Sequence, residues 1–90
     1  MSSNFHLKVQ DRGGILYDGP VFSITSYNEE GEFDVLPNHA NFISLLQKKI
    51  VIRDSAKDPK EFNFESALMR VLADNVEVYI GVEGVFGTKV

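Results

Sequence analysis

Apolar side chains recur at every second position along most of this chain, and a two-residue period is the spacing of a strand with one face in a core and the other in water. Phe5, Leu7 and Val9 alternate with His6, Lys8 and Gln10; towards the other end Val76, Val78, Ile80 and Val82 alternate with Glu77, Tyr79, Gly81 and Glu83. Shorter candidate strands fall at residues 15–17, 21–27, 33–36, 42–46, 50–53, 62–65 and 68–73, and the helical period is almost absent. Turn chemistry punctuates them at Gly13-Gly14, Asp18-Gly19-Pro20, Glu30-Gly31, Pro37-Asn38 and the loop 55–59. Many short strands with frequent turns predict an all-β sandwich or barrel, because two apolar faces must cover each other. The run 40–49 is ambiguous by period alone, since Phe42, Ile43, Leu45 and Leu46 suit a buried strand or one helical turn.

Size and charge narrow the function classes. Ninety residues fit one domain, read as 1–90 with its core at about 5–83, and a domain of that size buries only about 60–65% of its unfolded surface. A partner that covers apolar area would therefore help it. A net charge of −4 leaves no electrostatic footprint for nucleic acid or anionic lipid, so neither nucleic-acid binding nor direct lipid insertion is expected. No cysteine occurs, which excludes disulfides and thiolate metal sites. The amino terminus has neither the basic nor the apolar region of a signal peptide, and no apolar run approaches the roughly 20 residues that span a bilayer.

The segment Glu29-Glu30-Gly31-Glu32-Phe33-Asp34-Val35-Leu36-Pro37-Asn38-His39-Ala40 resembles the loop-strand-loop signature of the epsilon-subunit family of F-type ATP synthases, which runs roughly Glu-Gly-Glu-Leu-Gly-(Ile/Val)-(Leu/Tyr)-Pro-Gly-His-Ala. Phe5-His6-Leu7-Lys8-Val9 is similar to the family's opening strand, Leu16-Tyr17-Asp18-Gly19-Pro20-Val21 to its step into the second, and Asp74-Asn75-Val76-Glu77-Val78 to its late Asn-Val hairpin. Asp34 and Asn38 replace two family glycines. The first substitution requires a position facing water or a partner, and the second suits asparagine's tolerance of left-handed backbone. Ser66-Ala67 stands where the family shows Gly-Gly, with one residue deleted before Leu68, which predicts a tighter hairpin there.

The resemblance implies a flattened antiparallel sandwich of about ten short strands in two five-stranded sheets, with 42–46 extended. It implies a noncatalytic rotor subunit at the cytoplasmic face of a bacterial membrane, joining the gamma subunit to the ring of c subunits and serving the catalytic head indirectly. Glu29, Glu30, Gly31, Glu32, Pro37, Asn38 and His39 would face the ring, and Ala40, Asn41 and Phe42 the gamma subunit. The chain stops about where the family's C-terminal helical hairpin would start; its end, Gly87-Thr88-Lys89-Val90, has no obvious tag or scar. A naturally short subunit without the hairpin's inhibitory role or ATP site is the expectation, against an engineered boundary.

Chemistry-bearing residues are sparse. His39 could act as a base or metal ligand, but the other histidine, His6, lies more than thirty positions away and no ligand triad accompanies either. A structural or interfacial role fits His39 better, and a solvated rim fits His6. Glu29, Glu30 and Glu32 lack EF-hand spacing and read as a solvated hairpin tip or a partner-facing rim. Ser23, Ser26 and Ser44 have no nucleophile elbow, and no phosphate-binding glycine loop occurs, so no cofactor, metal or catalytic residue is expected. Met69 and Phe33, Phe42, Phe62 and Phe64 read as core, some of them also facing a partner. The rival class is a free-standing β-sandwich module for peptide or carbohydrate, which would carry a groove of exposed aromatics.

Overall fold

The alternation becomes seven strands: β1 (Phe5–Asp11), β2 (Gly14–Val21), β3 (Ser23–Asn28), β4 (Gly31–Val35), β5 (Phe42–Arg53), β6 (Lys60–Leu72) and β7 (Asn75–Ile80). The computed structural model describes residues 3–81; Val82 and Glu83 of the last candidate strand, and the terminal residues 85–90, lie outside the described residues. The all-β class is as expected, but the described residues form seven strands, not ten. They form one sheet in the order β2-β1-β7-β6-β5-β3-β4, in place of two sheets of five. The pairing of β1 with β7 is parallel, the other five antiparallel.

The count falls because hydrogen bonding continues where the apolar pattern lapses. Candidates 42–46 and 50–53 are one strand, β5, and candidates 62–65 and 68–73 are covered by β6, which ends at Leu72. Where they cross, Gln47 faces Ser66 but Lys48 faces Phe64, so Glu65 is an extra residue in β6. One inserted residue exchanges the faces of a strand. Phe62 and Phe64 accordingly pack inward before it, and Ala67, Met69 and Val71 after it. The tight hairpin expected near Ser66-Ala67 is thus a bulge within a continuous strand. Lys48 adopts a left-handed φ of 74° and places its ammonium 5.2 Å from the centre of the Tyr27 ring.

The bulge folds one sheet into two layers. Within β6 only the C-terminal half pairs with β7, and within β5 only the stretch from Gln47 onward pairs with β3. One layer therefore holds β2, β1, β7 and residues 67–72 and 42–46; the other holds β4, β3 and residues 47–53 and 60–66. Between them lie Leu7, Val9, Ile24, Ile50, Ile52, Met69 and Val78, all 0% exposed. Phe33, Phe42, Phe62 and Phe64 pack at the core's margin. Ser26, the buried polar residue among those described, donates its hydroxyl to Lys49 O at 2.7 Å, which removes the penalty of burying it.

One turn and one strand expectation need correction. Asp18-Gly19-Pro20 lies inside β2; β2 is the sheet edge, where a residue without N–H can face away from the ladder. Candidate strand 21–27 breaks at exposed Phe22, whose N–H donates to Arg53 O at 2.7 Å as the chain passes between layers. The two replaced glycines behave as expected: Asn38 has φ 65°, and exposed Asp34 accepts the Thr25 hydroxyl at 2.6 Å.

Candidate functional site

The loop between β4 and β5 is held by its own side chains. His39 lies half-buried, its Nδ1 2.7 Å from Leu36 O and its Nε2 2.7 Å from Ala73 O. The ring packs edge-on against Phe5, with centroids 4.9 Å apart and planes at 81°. Asn41 Oδ1 accepts the N–H of Ala73 at 2.7 Å. Both main-chain groups of Ala73, in the β6–β7 turn, are thus gripped by side chains of a loop more than thirty residues earlier. Both nitrogens of His39 face main-chain carbonyls, which gives it a structural role.

Ala73 adopts φ 53°, a left-handed conformation that costs an L-residue about 1–2 kcal/mol and glycine almost nothing. Ala73→Gly keeps both backbone bonds. After allowing for the greater freedom of glycine in the unfolded chain, it is expected to raise the unfolding free energy by about 0.5–1 kcal/mol, measurable by urea denaturation.

The acidic tip is a separate patch. Asn28 Oδ1 accepts the Glu30 N–H at 2.9 Å, an Asx turn that passes through Gly31 at φ 119°. Asn28 also reaches Ser44 Oγ at 3.3 Å. Glu29, Glu30 and Glu32 are exposed. The length of β4, about 17 Å of extended chain, separates this tip from Pro37, Asn38 and His39, so the two groups read together in the sequence occupy opposite ends of one strand. Among the described residues no group of three or more potential ligands is placed to hold a metal ion.

A third surface escaped the sequence reading. On the outer face of the first layer Ile43, Leu45 and Leu72 are 67%, 59% and 52% exposed. Across the strands Ile43 lies opposite Arg70, Arg70 opposite Glu77, Glu77 opposite Lys8 and Lys8 opposite Asp18, while Leu45 faces Leu68 and Leu68 faces Tyr79. The face is therefore apolar on its β5 side and of alternating charge on its β2 side. Arg70 Nη2 and the Tyr79 hydroxyl both donate to Glu77 Oε1 at 2.9 Å; the Tyr79 bond, then burial, raises the Tyr79 pKa. A sequence signal existed: Phe42-Ile43, Leu45-Leu46 and Val71-Leu72 are apolar at both parities, the pattern of a strand covered on both faces.

The family model described as ATP synthase, Delta/Epsilon chain, beta-sandwich domain matches residues 4–82. The chain belongs to this family. An ATP synthase epsilon chain of Sulfurimonas denitrificans is 35% identical over 85 residues, covering 91% of this chain and 62% of that protein. One of Campylobacter curvus is 43% identical over 54 residues, covering 59% of this chain and 42% of its own. This delta/epsilon-family chain thus spans less than two thirds of the length of these relatives. Its fold matches a chain of the Euglena gracilis mitochondrial ATP synthase at TM-score 0.80 and 17% identity, covering 89% of this chain and 52% of that one. It also matches a chain of the central stalk and c-ring assembly of the Tetrahymena thermophila enzyme at TM-score 0.72 and 14% identity, covering 83% and 61%.

Proposed function

We propose that this chain is a noncatalytic central-stalk subunit of an F-type ATP synthase that joins the gamma subunit to the ring of c subunits at the cytoplasmic face of a bacterial membrane. Catalysis belongs to other subunits. The family match over residues 4–82 carries the reading. The body suits a coupling role, because one sheet runs through both layers and a load applied at one surface reaches the other through hydrogen-bonded strands and a close-packed core. No helix among the described residues is long and apolar enough to cross a membrane, and docking through protein surfaces suffices.

In this reading Glu29, Glu30, Gly31, Glu32, Pro37, Asn38 and His39 meet the ring, and Ala40, Asn41 and Phe42 meet gamma. Charges at such a rim set orientation more than affinity. Among the described residues the exposed large hydrophobic ones are, Phe22 apart, aliphatic, which suits a protein partner better than a sugar stacked on aromatic rings. Titration calorimetry of the chain into purified gamma subunit from the same organism, with ATPase rates of the assembled enzyme followed in parallel, is expected to give tight one-to-one binding without strong inhibition. Absence of binding to the cognate gamma subunit would return the chain to the free-standing module class.

A further inference from the structure

His39 faces two acceptors with what is ordinarily one donor. A neutral imidazole carries one N–H and one lone pair, and only the doubly protonated imidazolium donates from both nitrogens. Nδ1 stands 2.7 Å from Leu36 O and Nε2 2.7 Å from Ala73 O, and a carbonyl oxygen can only accept. With a neutral ring, one of these contacts would set a nitrogen lone pair against an oxygen lone pair. Turning the ring over about its Cβ–Cγ bond gives no escape, because ring carbons would then stand in those places, and C–H···O contacts need about 3.3–3.6 Å. Water has no easy approach from the side of Phe5, itself 2% exposed, which packs against the imidazole with ring centroids 4.9 Å apart.

The ionisable groups on the surrounding elements leave room for a cation. The loop 36–41 holds no ionisable side chain besides His39. On β1, His6 pairs with Asp18 of β2; across β6 and β7, Arg70 is held by Glu77; on β4, Asp34 accepts the Thr25 hydroxyl. Asp74, exposed in the β6–β7 turn, is an acid and follows Ala73 directly.

The two contacts are also unequal. The bond to Leu36 O closes within the loop, whereas the bond to Ala73 O spans thirty-four positions. A local contact survives loosening that a tertiary one does not, because its ends are kept close by the chain itself. Asn41, which accepts the Ala73 N–H at 2.7 Å, makes that amide a reporter on whether loop and turn are joined.

We propose that His39 is a proton-operated latch: as imidazolium it ties the loop 36–41 to the β6–β7 turn, and on losing a proton it keeps Nδ1–H on Leu36 O and releases Ala73 O. The latch needs no partner. The segment it holds carries residues assigned above to the c ring and to gamma, so the presentation of both surfaces would follow the same proton; that consequence alone rests on the stalk reading.

Nitrogen NMR of the free wild-type chain, titrated from about pH 5 to pH 8, the range in which histidine changes charge, reads the latch directly. Both ring nitrogens of His39 are expected to carry protons at the acid end, and Nε2 alone to lose its proton as pH rises. Over the same curve the protection of the Ala73 amide, taken relative to an unfolded peptide so that base catalysis of exchange cancels, is expected to fall roughly 5-fold to 10-fold, as one hydrogen bond is lost. His39→Gln cannot titrate and is expected to make that protection independent of pH. His6 is the control, since its own N–H donates to Asp74 O at 2.8 Å in the same turn; His6→Gln is expected to leave the fall unchanged. A His39 ring that is neutral throughout, or one that titrates while the Ala73 protection stays level, would overturn the latch, as would a fall that survives His39→Gln. Were His39→Gln not to fold, the ring and amide curves of the wild type decide by themselves. Failure of the chain to bind gamma would overturn the stalk reading and leave the latch standing.

Discussion

Ile50→Ala is expected to lower the unfolding free energy by about 2–5 kcal/mol, whereas the same truncation at Ile43 is expected to change it by no more than about 0.5 kcal/mol. Ile50 is 0% exposed and lies opposite Ser26 of β3 and Phe62 of β6, just past the bulge at which the sheet turns from one layer into the other. Losing its side chain leaves a cavity where both layers meet. Against the roughly 5–15 kcal/mol of a typical domain that is a large fraction, and for so small a core a dangerous one. Ile43 sits on the opposite face of the same strand at 67% exposure, so the free domain gains little from it. Urea denaturation followed by circular dichroism measures both losses. Equal losses at the two positions would contradict the two-layer arrangement.

This contrast also marks how far the sequence could be read. The period-two alternation of Phe5, Leu7 and Val9 and of Val76 and Val78 gave the class and the inward face directly, and all five residues are buried. Strand boundaries were hidden because composition lapses at Gln47-Lys48-Lys49 and at Glu65-Ser66, while backbone hydrogen bonds, which no side chain reports, run straight through. The bulge was invisible for the same reason. Elimination left a structural or interfacial role for His39, but its partners were not legible: Leu36 is near in sequence, whereas Ala73 and Phe5 are brought to it only by the fold. The acidic tip and the Pro37-Asn38-His39 turn looked like one site because they lie so close in sequence; the extended β4 strand between them holds them at opposite ends. The outer apolar face needed two strands to be set side by side before Ile43 and Leu72 came together on it.

The second large effect is expected in the pH dependence of stability, from a pin that joins the layers outside the core. The Tyr17 hydroxyl, on β2 in the first layer, donates to Asp54 Oδ2 at 2.7 Å, just after β5 has ended in the second. Asp54 is also held by the Ala56 N–H at 2.9 Å and by Lys60 Nζ at 3.1 Å. The Tyr17 hydrogen bond, then those of Ala56 and Lys60, lowers the Asp54 pKa from 3.8 to about 2. Burial, then Asp54, raises that of Tyr17 from 10.0 to about 12. A lowered folded-state pKa means that Asp54 contributes stability in full above its unfolded value and loses it as pH falls from about 4 to about 2. A raised one means that Tyr17 contributes in full below its own unfolded value and loses it as pH rises from about 10 to about 12. Wild-type stability should therefore form a plateau between these limbs. Tyr17→Phe removes the hydroxyl but keeps the ring, so Asp54 moves back towards its ordinary value, the acid limb flattens and the alkaline limb contributed by Tyr17 disappears. Urea denaturation of both proteins from pH 2 to pH 12 measures the difference, which should be greatest on the plateau and shrink towards either end. Parallel curves across the whole range would show that the pin does not close in solution. The two layers would then resist shear through the bulge and core alone.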